Sequence, residues 1–215
     1  MSRRRDLGAL WAAHVDAAGL CDAGGQIGRA VIGRYALPWR RYHGLGHLTF
    51  LFGEISRLQA DITDIHRVRF TVWFHDAIHV SWRKDNEARS ARWAGRALAV
   101  MGADVALSGS VARLIAATAD HAGAAPTDGD DALFLDMDMA ILGAPPDLYD
   151  RYARQVRLEY AWAPGPLYRK GRAAFLASQL NRDRIFHTDC YERDRAGQAR
   201  ANMARELAQH QPART

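Results

Sequence analysis

The sequence has only two cysteines in 215 residues, Cys21 and Cys190, far apart and in no metal-ligand spacing. That excludes a disulfide framework and a Cys-rich structural zinc site, and it fits a cytoplasmic protein. No run of about 18 apolar residues occurs, so no segment is expected to span a membrane. The opening MSRRRDLGALWAAHVDAAGL sets basic residues before apolar ones, but His14 and Asp16 break the apolar stretch. A signal-peptide h-region is therefore not expected. Sustained period-two alternation, internal repeats and low-complexity linkers are also missing. What remains is a single helical domain over 1–215, all-α, with almost no strand.

Hydrophobic residues make up 48% of the chain and charged residues 25%, an ordinary globular balance. The net charge of +5 is unevenly spread. Residues 151–215 hold 13 Lys and Arg against 6 Asp and Glu, whereas residues 1–150 hold 16 against 18. A basic C-terminal third reads either as a solvated face or as a wall that attracts an anionic substrate. Charge alone is compatible with nucleic-acid binding, but no recognised binding motif accompanies it.

Apolar periodicity predicts helices over 5–19, 25–36, 42–59, 64–79, 85–102, 108–120, 131–143, 146–162, 166–181 and 191–209. Asp85 precedes Asn86 and Glu87 as a helix start, and Pro145 and Pro146 follow Gly143 as a stop and a new start. Three segments carry ionisable groups on apolar helices: YHGLGHL at 42–48, WFHDAIH at 73–79 and LDMDMAIL at 135–142. At about 100° per residue, His75 and Asp76 straddle the stripe formed by Val68 and Val72. A carboxylate turned to the core needs a partner, either a cation or a structural ion pair. His43 and His47, four residues apart, are expected on one helix face, with His47 inner and His43 nearer a cleft mouth. Glu54 falls on the side of His47. Asp136 and Asp138 point about 200° apart on a helix, and the apolar neighbours of Asp138 make it the inward ligand. Asp136 is left to cap, to pair with a base or to support the ligands. Two imidazoles and two carboxylates suit one borderline or hard divalent cation with open positions.

The order His47, then His75-Asp76 after 28 residues, then Asp138, resembles the HD superfamily of metal-dependent phosphohydrolases. YHGLGHL, FHDAIH, DNEARSA, LDMDMAILGAP, VRLEY, GRAAFL and ARANMAREL are similar to a bacterial branch of predicted HD phosphohydrolases, over roughly residues 35–207. The resemblance implies a compact helical bundle with His47, His75, Asp76 and Asp138 around a central metal, which could be Mn, Fe, Co, Ni, Zn or Mg. YHGLGH and HDAIH are also similar to segments of cyclic nucleotide phosphodiesterases, which implies His43 as proton donor and His47 as ligand. Gly44 departs from the Asn usual there, and the rest of that domain is not evident.

The expected substrate is a small anionic phosphorylated metabolite or nucleotide, cleaved as a monoester or a diester. His43 or His79 would protonate the leaving oxygen, and Asp138 or a neighbour would take the proton of the attacking water. His79 and His121 are the places for a second metal, and His121 is also a candidate phosphate contact. Arg157, Lys170 and Arg172 are the other candidate phosphate contacts. Trp73, Trp82, Trp93 and Trp162 read as core or rim packing. Two other readings stand beside this one: an HD-type di-iron oxygenase, and a nucleotide-sensing or nucleic-acid-binding helical protein without turnover. An oligomer is compatible with all of them.

Overall fold

Three helix starts in this chain are capped by aspartate. Asp64, Asp104 and Asp128 each accept the backbone N–H three residues on, from Arg67, Leu107 and Asp131. Each thereby satisfies a donor that has no partner within its helix. The computed structural model describes residues 2–120, 123 and 125–210. Among them are ten α-helices and no strand: α1 Ser2–Ala17, α2 Gln26–Tyr35, α3 Leu45–Leu58, α4 Ile65–Phe74, α5 Asn86–Val100, α6 Val105–Ala117, α7 Gly129–Met139, α8 Pro146–Glu159, α9 Gly165–Leu180 and α10 Asp189–His210. The all-α expectation holds, and each predicted helix is present. No described helix is long and apolar enough to cross a membrane.

Two helices that carry candidate ligands are shorter than periodicity predicts. α3 begins at Leu45 rather than 42, because Gly44 takes an extended conformation as its N-cap. A Cβ at Gly44 would stand 2.9 Å from the Arg40 carbonyl oxygen, so the close turn there needs glycine. α4 ends at Phe74 rather than 79, leaving Asp76 and His79 in the segment that follows. Asp85 does precede α5, but its carboxylate makes no cap bond and instead takes the Arg83 guanidinium at 2.7 and 2.8 Å.

The chain divides into two compact units, Met1–Pro126 and Thr127–Thr215. In the first, α5 packs along α6, α4 meets α3, α5 and α6, and α1 lies against α2 and α3. Its core is aromatic. Trp11 meets Phe70, Trp73 and Phe74 edge-on at centroid distances of 5.3–6.2 Å, a favourable geometry for ring pairs. Trp93 packs edge-on to Phe74, whereas Trp82 is exposed.

In the second unit α10 packs on α9 and on the 3-10 turn Ala140–Gly143. Asn202, buried in mid-α10, donates to the carbonyls of Leu142 and Ala144 that the turn leaves open. Asp136 is buried as well, accepting from the His187 and Thr188 amides at 2.7 Å and from the Thr188 hydroxyl at 2.6 Å. Burial raises its pKa even though these donors favour the charged form. It thus anchors the entry to α10. Asp138, expected to be the more inward of the pair, is only half-buried. The apolar stripe misranks them because three donors from 187–188 reach Asp136 and make its burial tolerable.

Arg172 also departs from expectation. Its guanidinium forks onto Glu206 at 2.8 and 3.0 Å, donates to the Tyr152 hydroxyl and lies over the Tyr152 and Phe175 rings. Tyr149 donates to the same carboxylate at 2.6 Å. Burial raises the Glu206 pKa, but Arg172 and then Tyr149 and His210 outweigh that and lower it overall. The stabilising contribution is complete above the ordinary glutamate range and is lost as pH falls through the depressed value. Arg172 is therefore a core ion-pair residue rather than a phosphate contact. Arg172→Ala should destabilise by about 3–5 kcal/mol, since it strands a buried carboxylate. Urea unfolding checks this, and a loss below about 1 kcal/mol would contradict the pairing.

Candidate metal centre

His75 is held by the last turn of α4. Its backbone N–H donates to the Thr71 carbonyl at 2.8 Å, and its ring Nδ1 lies 2.9 Å from the Val72 carbonyl oxygen. A carbonyl only accepts, so Nδ1 carries the proton and Nε2 presents a lone pair. That lone pair faces His47 Nε2 at 3.0 Å, and both rings are buried. Two cis ligands about 2.1 Å from one cation would stand about 3.0 Å apart, so the spacing fits a shared metal. Without a cation the same contact is an N–H···N hydrogen bond donated by His47.

Asp76 completes the group. Its Oδ2 lies 3.5 Å from His75 Nε2 and 4.0 Å from His47 Nε2. One ligand atom from each of His47, His75 and Asp76 falls within 4.8 Å of the others, close enough to hold a metal ion. Burial pushes the Asp76 carboxyl up, but His75, His43 and His79 more than reverse this and hold it well below the usual carboxylate range. It is an anion at neutral pH, as a metal ligand must be.

His43 and His79 stand beside this trio. Their rings stack at 4.1 Å and 30°, and His43 lies 5.9 Å from the His47 ring. His79 Nδ1 is 3.8 Å from Asp76 Oδ1, the oxygen not shared with His47 and His75. The expected helix face joining His43 to His47 does not exist, since Gly44 starts the helix between them. The turn delivers His43 instead. Likewise His79 reaches Asp76 through a loop and not one helical turn on.

The residues that build this loop cluster are not among those the sequence singled out. Arg40 Nη1 donates to the Asp76 carbonyl at 2.6 Å and to the His43 carbonyl at 3.4 Å. Its Nη2 donates to the carbonyls of Ala77 at 3.2 Å and His79 at 3.4 Å. Tyr35 packs its ring under this guanidinium and accepts the Asp76 amide at 3.1 Å. From α5, Asn86 exchanges two hydrogen bonds with the Val80 backbone, and Ser90 does the same with Ile78. Asn86 and Ser90 had a legible signal: they fall eight and four residues before Ala94 on a buried face. Arg40 had none, because Arg41 beside it is exposed and sequence does not separate the two.

The remaining predicted residues belong to other segments of the chain. Asp138 is on α7 of the second unit. Arg157 donates to the Tyr160 carbonyl at 2.7 Å and lies over the Tyr168 ring, which makes it a clasp for the turn after α8. Lys170 is exposed on α9. His121 lies outside the described residues. Glu54 is buried and accepts from Arg57 at 2.8 Å.

In comparisons with known proteins, no family model, curated protein or solved structure matches the chain.

Arg40→Met should remove the donors that the carbonyls of Asp76, Ala77 and His79 share. The expected cost is about 2–3 kcal/mol of unfolding free energy. Hydrogen exchange should show faster exchange across 76–80, with α5 and α6 unchanged. Unaltered protection of that loop would contradict the role given to Arg40.

Proposed function

We propose that the chain is a metal-dependent phosphohydrolase acting on a small phosphorylated metabolite or nucleotide. The observation that carries this is the lone pair of His75, fixed by Val72 and turned toward His47 beside an ionised Asp76. Such a set is costly to bury for stability alone and is suited to a divalent cation. His47, His75 and Asp76 would hold the ion. The HD-like order of residues adds Asp138 as a fourth ligand, an assignment that rests on sequence resemblance. A cation bound there lowers the pKa of a coordinated water and polarises a phosphoryl oxygen.

The chain's own proton chemistry falls to His43 and His79. In this reading one of the two stacked imidazoles serves as the acid and the other as the base. The protonated ring can give its proton to the leaving oxygen as the phosphorus–oxygen bond breaks. The neutral ring can take a proton from the attacking water. Asp76 Oδ1 orients His79 for either role. Arg40 acts through the backbone, keeping the loop that carries Asp76 and His79 against the turn that carries His43.

A second reading is favoured by Asp76 itself, whose Oδ2 faces His47 and His75 while Oδ1 faces His79. A carboxylate so divided suits two cations, as a di-iron oxygenase would require. Iron content together with oxygen uptake separates that chemistry from hydrolysis.

Asp76→Ala and His75→Ala should each lose bound metal, read by elemental analysis after reconstitution. Full occupancy in both variants would remove this centre. His43→Ala should keep the metal and lower turnover about 10²–10⁴-fold on the best substrate of a phosphometabolite panel. Metal loss in His43→Ala would make it a ligand, and an unchanged rate would remove it from catalysis.

A further inference from the structure

A second convergence of nitrogen groups involves none of the proposed metal ligands. His66, Arg69 and Trp73 follow one another on α4 at spacings of three and four residues, so they share a helix face. His14 of α1 meets this face, and its Nδ1 is 3.1 Å from Trp73 Nε1. An indole N–H only donates, so His14 Nδ1 is the acceptor and the ring's proton resides on Nε2. His14 is 6% exposed and packs against Phe52 at 5.3 Å. Burial, then the positive groups Arg69 and His66, lower its pKa to about 4. It is thus a neutral ring with a donor to offer, next to two basic side chains.

Arg69 Nε and His66 Nδ1 are buried, and neither has a hydrogen-bond partner among the described residues. Burial lowers the Arg69 pKa, with no compensating carboxylate. The nearest acid along α4, Asp64, accepts from the Arg67 amide at 2.9 Å as the helix cap. Buried polar nitrogens without partners are rare in folded proteins and call for an unseen partner. Cations are excluded by the guanidinium. Water would satisfy the N–H groups but leave the charge unopposed. An anion does both, and a guanidinium fork matches an oxyanion in shape. His66 and Arg69 are half-buried, so the cluster is open to a small solute.

We propose that His14, His66 and Arg69 form a binding site for a small oxyanion, a phosphate or a carboxylate group, separate from the His47–His75–Asp76 centre.

The test uses the full chain stripped of metal by chelation, so that an anion cannot bind through a cation at the other centre. Inorganic phosphate and acetate are titrated separately at constant ionic strength. Tryptophan fluorescence, to which Trp73 contributes, and the melting temperature are followed. A saturable response with a rise in melting temperature is expected for at least one anion. Phosphate alone would assign a phosphate-bearing ligand, and acetate alone a carboxylate. Arg69→Gln and His66→Ala should each weaken that response at least tenfold. Both variants should melt no lower than the wild type without anion, because each removes an unpartnered buried nitrogen. His66→Ala carries the comparison should Arg69→Gln not fold. No saturable response to either anion, or equal affinity in a folded variant, would overturn the site. Because no metal is present, the outcome is independent of the phosphohydrolase proposal.

Discussion

The guanidinium of Arg40 reaches the carbonyls of His43, Asp76, Ala77 and His79. Four acceptors from two loops converge on one planar donor, and His43, Asp76 and His79 ride on those loops. Helices alone could not build this arrangement. α4 ends at Phe74, so its hydrogen-bond ladder no longer fixes the backbone at Asp76 and His79. A charged fork restores that fixity, because several donor–acceptor contacts share one rigid plane. Tyr35 beneath it and Asn86 and Ser90 beside it complete the frame. The ligand atoms then need only their own rotamers, and Val72 supplies the tautomer of His75.

The second unit uses arginine for a related purpose. Arg200 donates to the carbonyls of Leu180, Arg182 and Asp183, closing the C-terminal end of α9. Arg182 and Arg184 bind the carbonyls of Ile185, Phe186 and His187. Arg157 closes the turn after α8, and Arg172 forks onto Glu206. Unsatisfied carbonyls at helix ends carry partial negative charge, and cations there are favoured. Much of the basic excess of residues 151–215 is therefore committed to the fold, and it is poor support for a wall facing an anionic substrate.

Helical periodicity made the class and number of elements legible, because amphipathic faces are written at every turn. It also brought His47, His75 and Asp76 forward, since ionisable groups beside apolar stripes are conspicuous. What it missed depends on long-range partners. Gly44 marks where α3 starts, yet the reason, that a Cβ there would stand 2.9 Å from the Arg40 carbonyl oxygen, is not encoded in spacing. Asp136 and Asp138 look distinguishable by neighbours, but three donors from residues 187–188 decide which is buried. Arg172 on a helix looks solvated until Glu206, 34 residues on, is seen to share its fork.

His47 and His75 are proposed to bind one cation together. X-ray absorption at the edge of cobalt or manganese bound to the full chain reads the ligands directly. A metal centre of this kind predicts nitrogen and oxygen donors only, with the outer-shell scattering of two imidazoles. Loss of His75 should remove the bound metal and with it the signal. A bound ion with no imidazole scattering, or with sulfur in its first shell, would contradict the assignment.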